Sequence, residues 1–163
     1  MPVEITSLIT YTLLFITLYA EVFILLSFIE GYRRTDVTQP LKLPSHVPSV
    51  SIIVPCFNEE KTVGATIESL LALEYPSNKL EVIVIDDGSS DNTYSIASHY
   101  ESGRVRVFKK QNGGKHSAMN YALTKTNAEI IGCLDADSFV EKSALLASIK
   151  QLVDTGAAAV TPA

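Results

Sequence analysis

The chain has 163 residues, with 13 Lys and Arg against 18 Asp and Glu and a formal charge of −5. An acidic chain of pI about 5.1 has no basic stripe for tracking a nucleic-acid backbone, and two cysteines cannot build a disulfide scaffold. Mean hydropathy is +0.21, high for a soluble domain, and the excess lies at the N-terminus.

Residues 8–29 contain a single carboxylate, Glu21, and no base. At about 1.5 Å per residue they extend about 33 Å, enough to cross a bilayer core, so a transmembrane helix is predicted within residues 1–30. A cleaved signal peptide would carry a base before a shorter apolar run and a small-residue cleavage site after it, whereas residues 1–7 hold no base and residues 27–34 read SFIEGYRR. Arg33 and Arg34 follow the run while Glu4 precedes it, which places the rest of the chain on the cytoplasmic side. Glu21 at mid-membrane is costly alone and either faces another helix or is carried neutral. Residues 31–49 hold Pro40, Pro44 and Pro48 and read as an extended linker, with the folded unit running from 50 to 163.

From Val50 onward continuous apolar runs alternate with helix-period segments. Strands are expected at 50–55, 81–86, 104–109, 129–135 and 157–162, with helices near 59–73, 91–102, 114–125 and 140–154. Val- and Ile-rich strands apolar on both faces and separated by helices indicate a doubly wound α/β fold around a parallel sheet. Ligands of such sheets bind beyond the carboxyl ends of the strands, and polar residues crowd those loops here. The fifth run ends at the last residue without a closing helix, so the chain is expected to be truncated.

Each loop has chemistry of its own. In PCFNEE (55–60), Phe57 can cover a base or sugar and Glu59 can accept from ribose hydroxyls, while Asn58 also fits as a cap of the next helix. In DDGSSDNT (86–93), Gly88 allows a tight turn and Ser90 or Asp91 suits a helix cap, which leaves Asp86 and Asp87 without a structural need. Such carboxylates can accept from a base N–H or bind a cation. In KKQNGGKHSAMN (109–120), a Gly pair precedes Lys115 at a helix start, a combination of free amides and an ammonium that suits a diphosphate. In CLDADSF (133–139), Asp135 and Asp137 stand two apart at a strand end and can direct two carboxylates at Mg²⁺ or Mn²⁺, with capping by Asp137 or Ser138 as the structural alternative. Cys56 and Cys133 are expected to be buried free thiols.

In this order and at these intervals, PCFNEE, DDGSSDNT, NGGKHSAMN and the DAD triplet resemble the nucleotide-binding half of family 2 glycosyltransferases with the GT-A fold. The resemblance implies that Pro55, Phe57 and Glu59 surround the nucleoside, that Asp86 or Asp87 reads the base, and that Lys115 lies near the diphosphate. It implies that Asp135 and Asp137 hold the divalent cation and the sugar diphosphate. The apolar helix ahead of the domain is similar to that of membrane-bound polysaccharide synthases, which implies a UDP-sugar donor, a glycan or lipid-linked acceptor, inversion, and a membrane location. The family's catalytic base and its QxxRW-type element lie beyond Ala163, so this chain alone is expected to bind donor without turning it over. A haloacid-dehalogenase-like phosphatase or a receiver module would instead use Asp135 as nucleophile or phosphoacceptor, and a membrane-tethered scaffold would use none of these residues. The first wants Thr or Val where Phe139 stands; the second wants its acidic pair after the first strand and a later Lys.

Overall fold

The computed structural model describes residues 2–34 and 46–161. It divides into an N-terminal helix and a compact α/β domain, each treated by itself. The helix, α1, covers Pro2–Arg34, and within it Thr6–Phe28 is long and apolar enough to cross a membrane. It extends four residues into the segment read as linker, and residues 35–45 of that segment lie outside the described residues. Thr10, Thr12 and Thr17 donate their hydroxyls to carbonyls one turn back, so the stretch carries few unsatisfied polar groups.

The domain follows the predicted alternation through β1 (Val50–Cys56), α2 (Val63–Leu71), β2 (Leu80–Asp86), α3 (Thr93–Ser98) and β3 (Val105–Lys109). It continues with α4 (Lys115–Leu123), β4 (Ile130–Cys133) and α5 (Ala144–Thr155). All strand pairs are parallel and the order is β3-β2-β1-β4. The predicted fifth strand does not form among the described residues: 157–161 are irregular, and β4 is an edge with Ile131 exposed. An Ala-rich run has the apolarity of a buried strand but little of the β-branched surface that makes one pack.

Alternation along the strands feeds two cores. Ile52, Val54, Val82 and Val84 face one side, where Val63, Ile67 and Leu70 of α2, Ala97 of α3 and Ile149 of α5 cover them. Ile53, Ile83 and Ile85 face the other side and meet Ala118 and Ala122 of α4, both fully buried. Two alanines let that helix lie close to the sheet, which brings its first turn beside the strand ends.

The chain order reverses between β1, which continues to β2 on one side, and β4 on the other. A crevice opens at such a reversal because the connections leave it in opposite directions. The PCFNEE loop and the DAD loop flank it. The opposite end of the sheet is closed by a reciprocal clasp: the Glu129 carboxylate accepts from the Ser49 amide and hydroxyl and from His46 Nε2, while the Glu129 amide donates to Ser49 Oγ. The His46 hydrogen bond, with the Ser49 amide, holds the Glu129 carboxyl down at about 2.

Candidate functional site

β1 ends in Pro55 and Cys56, after which Phe57 stands 48% exposed and open to a flat ligand. Asn58 adopts a left-handed backbone, φ 57°, that Asn tolerates better than most residues. It does not cap α2, contrary to the sequence expectation. Its amide donates to Ser89 Oγ at 2.9 Å and its Oδ1 accepts from the Ser90 amide at 3.0 Å, so it staples the first loop to the second. The Glu59 amide donates to Thr93 Oγ1, and its carboxylate accepts from Thr62 Oγ1 at 2.7 Å through Oε2.

Asp86 and Asp87 do have structural work, against the expectation that they lacked it. Asp87, 4% exposed, accepts from Lys110 Nζ at 2.5 Å, from the Gly113 amide at 3.1 Å and from the Gly114 amide at 2.7 Å. Burial raises its pKa, but the Lys110 hydrogen bond and the two amides outweigh burial and leave the carboxyl below its ordinary value. The Gly-Gly amides expected to face a diphosphate are therefore turned to Asp87. Asp86 is fully buried; Oδ1 accepts from the Ser89 amide at 3.0 Å, while Oδ2 is ion-paired with Lys109 Nζ at 3.3 Å and accepts no hydrogen bond. Lys109 also lies 5.4 Å over the Tyr94 ring. Asp91 acts as foreseen in kind, its Oδ1 accepting from the Thr93 amide at 3.0 Å, although the N-cap position of α3 is Asn92.

Gly88 holds the turn between these carboxylates with φ +80°, and a Cβ there would stand 2.8 Å from the Asn112 backbone nitrogen. Gly88→Ala should destabilise the domain by about 1–3 kcal/mol, from the left-handed backbone and the clash together. Urea unfolding checks this, and a change below about 0.5 kcal/mol, the range of an ordinary surface substitution, would contradict it.

Gly114, φ +84°, starts α4 and sends Lys115 back across the crevice. Lys115 Nζ donates to Asp135 Oδ1 at 2.5 Å, with side chains 60% and 55% exposed. This hydrogen bond is the main reason the Lys115 ammonium is held above its ordinary pKa. The DAD loop is set by a backbone bond from Leu134 to Ile53 O and by buried Thr66, whose hydroxyl donates to Ala136 O at 2.8 Å. Ala136 is buried, and Asp135 and Asp137 stand exposed on either side of it. Neither Asp137 nor Ser138 caps the next helix, which starts at Ala144 with Ser143 at its N-cap. Cys133 is exposed beside Met119, not buried as expected, because β4 is an edge strand; Cys56 is buried, and burial pushes its thiol up to about 12.

Two exposed carboxylates are a hard-oxygen pair suited to Mg²⁺ or Mn²⁺ but fill only part of such an ion's coordination. Among the described residues no cluster of three or more His, Cys, Asp or Glu side chains could hold a metal. The residues fit a cation completed by oxygens of a ligand and by water. The structure thus brings Lys115 onto Asp135, leaves Asp137 exposed in the same loop and Phe57 open at the same end of the sheet, and covers Asp86 and Asp87. Sequence reasoning missed Lys109, Lys110, Ser89 and Thr66, whose roles depend on contacts between distant loops.

Residues 51–163 match the profile of the family described as Glycosyl transferase family 2. A poly-beta-1,6-N-acetyl-D-glucosamine synthase of Staphylococcus epidermidis is 40% identical over 102 residues, 60% of this chain and 24% of the relative. The synthase of the same description from Staphylococcus aureus (strain COL) is 30% identical over 139 residues, 81% of this chain and 33% of the relative. The chain thus spans between 24% and 33% of the length of these curated relatives. Among solved structures, a mannosyltransferase from Pyrobaculum calidifontis in complex with GDP-Man and Mn²⁺ superposes with a TM-score of 0.62 at 28% identity, covering 80% of this chain and 40% of that one. TarS of S. aureus, residues 1–349 with UDP-GlcNAc, gives 0.58 at 29% identity over 65% of this chain and 31% of that one.

Proposed function

Because the chain belongs to glycosyl transferase family 2, we propose that its α/β domain binds a UDP-sugar at the carboxyl ends of β1, β2 and β4, as the donor site of a membrane polysaccharide synthase. The observation that carries this reading is the Lys115–Asp135 pair, with exposed Asp137 two residues on, at the point where the sheet order reverses. Phe57 would cover the base, and Glu59, already oriented by Thr62, would accept from the ribose. Asp86 Oδ2, which accepts no hydrogen bond within the fold, would take a base N–H once the ligand displaces the Lys109 ammonium beside it. Asp87 would contribute indirectly, by fixing the Gly113–Gly114 turn that aims Lys115.

Asp135 and Asp137 would hold Mg²⁺ or Mn²⁺ against the diphosphate. When bound, the cation supplies Lewis-acid stabilisation of the departing nucleoside diphosphate. Lys115 would add an ammonium to the same leaving group, where an opposite charge stabilises the transition state more than the ground state. The sugar would pass with inversion to a growing glycan or lipid-linked acceptor, and α1 would keep the domain at the cytoplasmic face. The polysaccharide synthase relatives support the acceptor class.

The nucleotide assignment is tested by competing UDP, GDP and ADP for the site in the presence of Mn²⁺. UDP should bind at least about tenfold tighter, the worth of one satisfied base hydrogen bond of about 1.4 kcal/mol. Equal affinities would overturn the uridine assignment.

A further inference from the structure

Lys115 is the feature of the crevice that metal-site reasoning does not absorb. Its ammonium sits on Asp135, the very carboxylate expected to bind the cation, and it is the one ammonium paired with Asp135 among the described residues. The neighbouring lysines are engaged elsewhere, Lys109 with Asp86 and Ser89 O and Lys110 with Asp87 and Gln111 O. The negative charge of Asp137, two residues from Asp135, adds to the pull on the Lys115 ammonium.

From this we propose that Lys115 is a resident stand-in cation on the Asp135/Asp137 pair, so that a divalent metal is taken up together with the nucleotide diphosphate and not ahead of it. The proposal rests on the nucleotide-sugar reading above and adds an order to it. A divalent ion needs the lone pairs of Asp135 that the ammonium occupies, and two cations on one oxygen repel. An incoming diphosphate offers the ammonium a second anion, and the short reach from the first turn of α4 lets it transfer without moving the backbone. Asp135 is then released to the metal, which the same diphosphate completes. Linkage requires the converse as well: bound metal favours diphosphate by the same factor by which diphosphate favours metal.

The test uses the full 163-residue chain in detergent, with Mn²⁺ alone, UDP alone and both together, reading free Mn²⁺ by electron paramagnetic resonance and UDP by calorimetry. Lys115→Met should bind Mn²⁺ alone roughly threefold to tenfold tighter than the wild-type chain, the size of one exposed ion pair plus the repulsion it removes. The same variant should bind UDP with Mn²⁺ more weakly. Lys115→Arg, which keeps the charge, should keep the wild-type affinity for Mn²⁺ alone, an outcome that a purely structural role would not produce. Circular dichroism confirms that both variants fold. Unchanged or weaker binding of Mn²⁺ alone by Lys115→Met overturns the proposal, and if UDP still binds with Mn²⁺, the nucleotide reading survives. Absence of UDP binding to the wild-type chain with Mn²⁺ overturns both.

Discussion

Asp135→Ala should weaken Mn²⁺-dependent UDP binding by more than about 100-fold while leaving the fold intact. Even partners that merely orient a metal ligand are worth about 10–100-fold in metal affinity, so losing one of only two protein carboxylates should exceed that range. The side chain is exposed, and its one hydrogen-bonded partner among the described residues is the equally exposed Lys115. Removing such a pair changes stability by no more than about 0.5 kcal/mol, because solvent screens both charges. Calorimetric titration of UDP with Mn²⁺ and a thermal melt of the same preparation separate the two effects. Retained affinity would remove Asp135 from the metal site; a large drop in melting temperature would make it structural.

Asp87 should behave in the opposite way. Asp87→Ala leaves the Lys110 ammonium, 17% exposed, and two glycine amides without their acceptor, and should cost about 3 kcal/mol of stability. Nucleotide affinity should fall as a consequence, since the turn that aims Lys115 loses its anchor. The pH dependence has a definite sign. The folded carboxyl lies below its ordinary value, so its contribution is complete above the unfolded value and is lost as pH falls through the depressed one. The gap in urea midpoint between wild type and Asp87→Asn should therefore be full near neutrality and close on the acid side. A gap that stays constant down to acid pH would contradict the role given to the ionised carboxylate.

The strand and helix alternation of the domain was readable because each strand is a Val- and Ile-rich run and each helix has its own apolar period. Four strands and four helices appear where that pattern placed them, within a few residues at the ends. The run expected at 157–162 shared the apolarity but not the β-branched residues of the other strands, and its described part, 157–161, does not pair with the open edge of β4; pairing is a long-range property that no local pattern states. The same limit explains the site. Lys115, Asp135 and Asp137 could be selected from residue type and position after a strand. That Lys115 would close on Asp135 could not, because the two are 20 residues apart. Asp87 looked free of structural duty because its partners, Lys110, Gly113 and Gly114, lie in the next loop. Asn58 had the residue type of a helix cap, and only the left-handed backbone and the approach of Ser89 and Ser90 reveal it as a staple. Cys133 has an apolar local sequence, and its exposure follows from β4 being an edge.

Two exposed carboxylates and one lysine would form the proposed metal-dependent nucleoside diphosphate site at the reversal of the sheet. The most direct measurement is titration of UDP into the purified chain with Mn²⁺ and again with excess chelator. Saturable binding is expected with the metal, and a loss of about 100-fold or more without it, no smaller than that expected of Asp135→Ala. Equal binding in both conditions, or none in either, would contradict it.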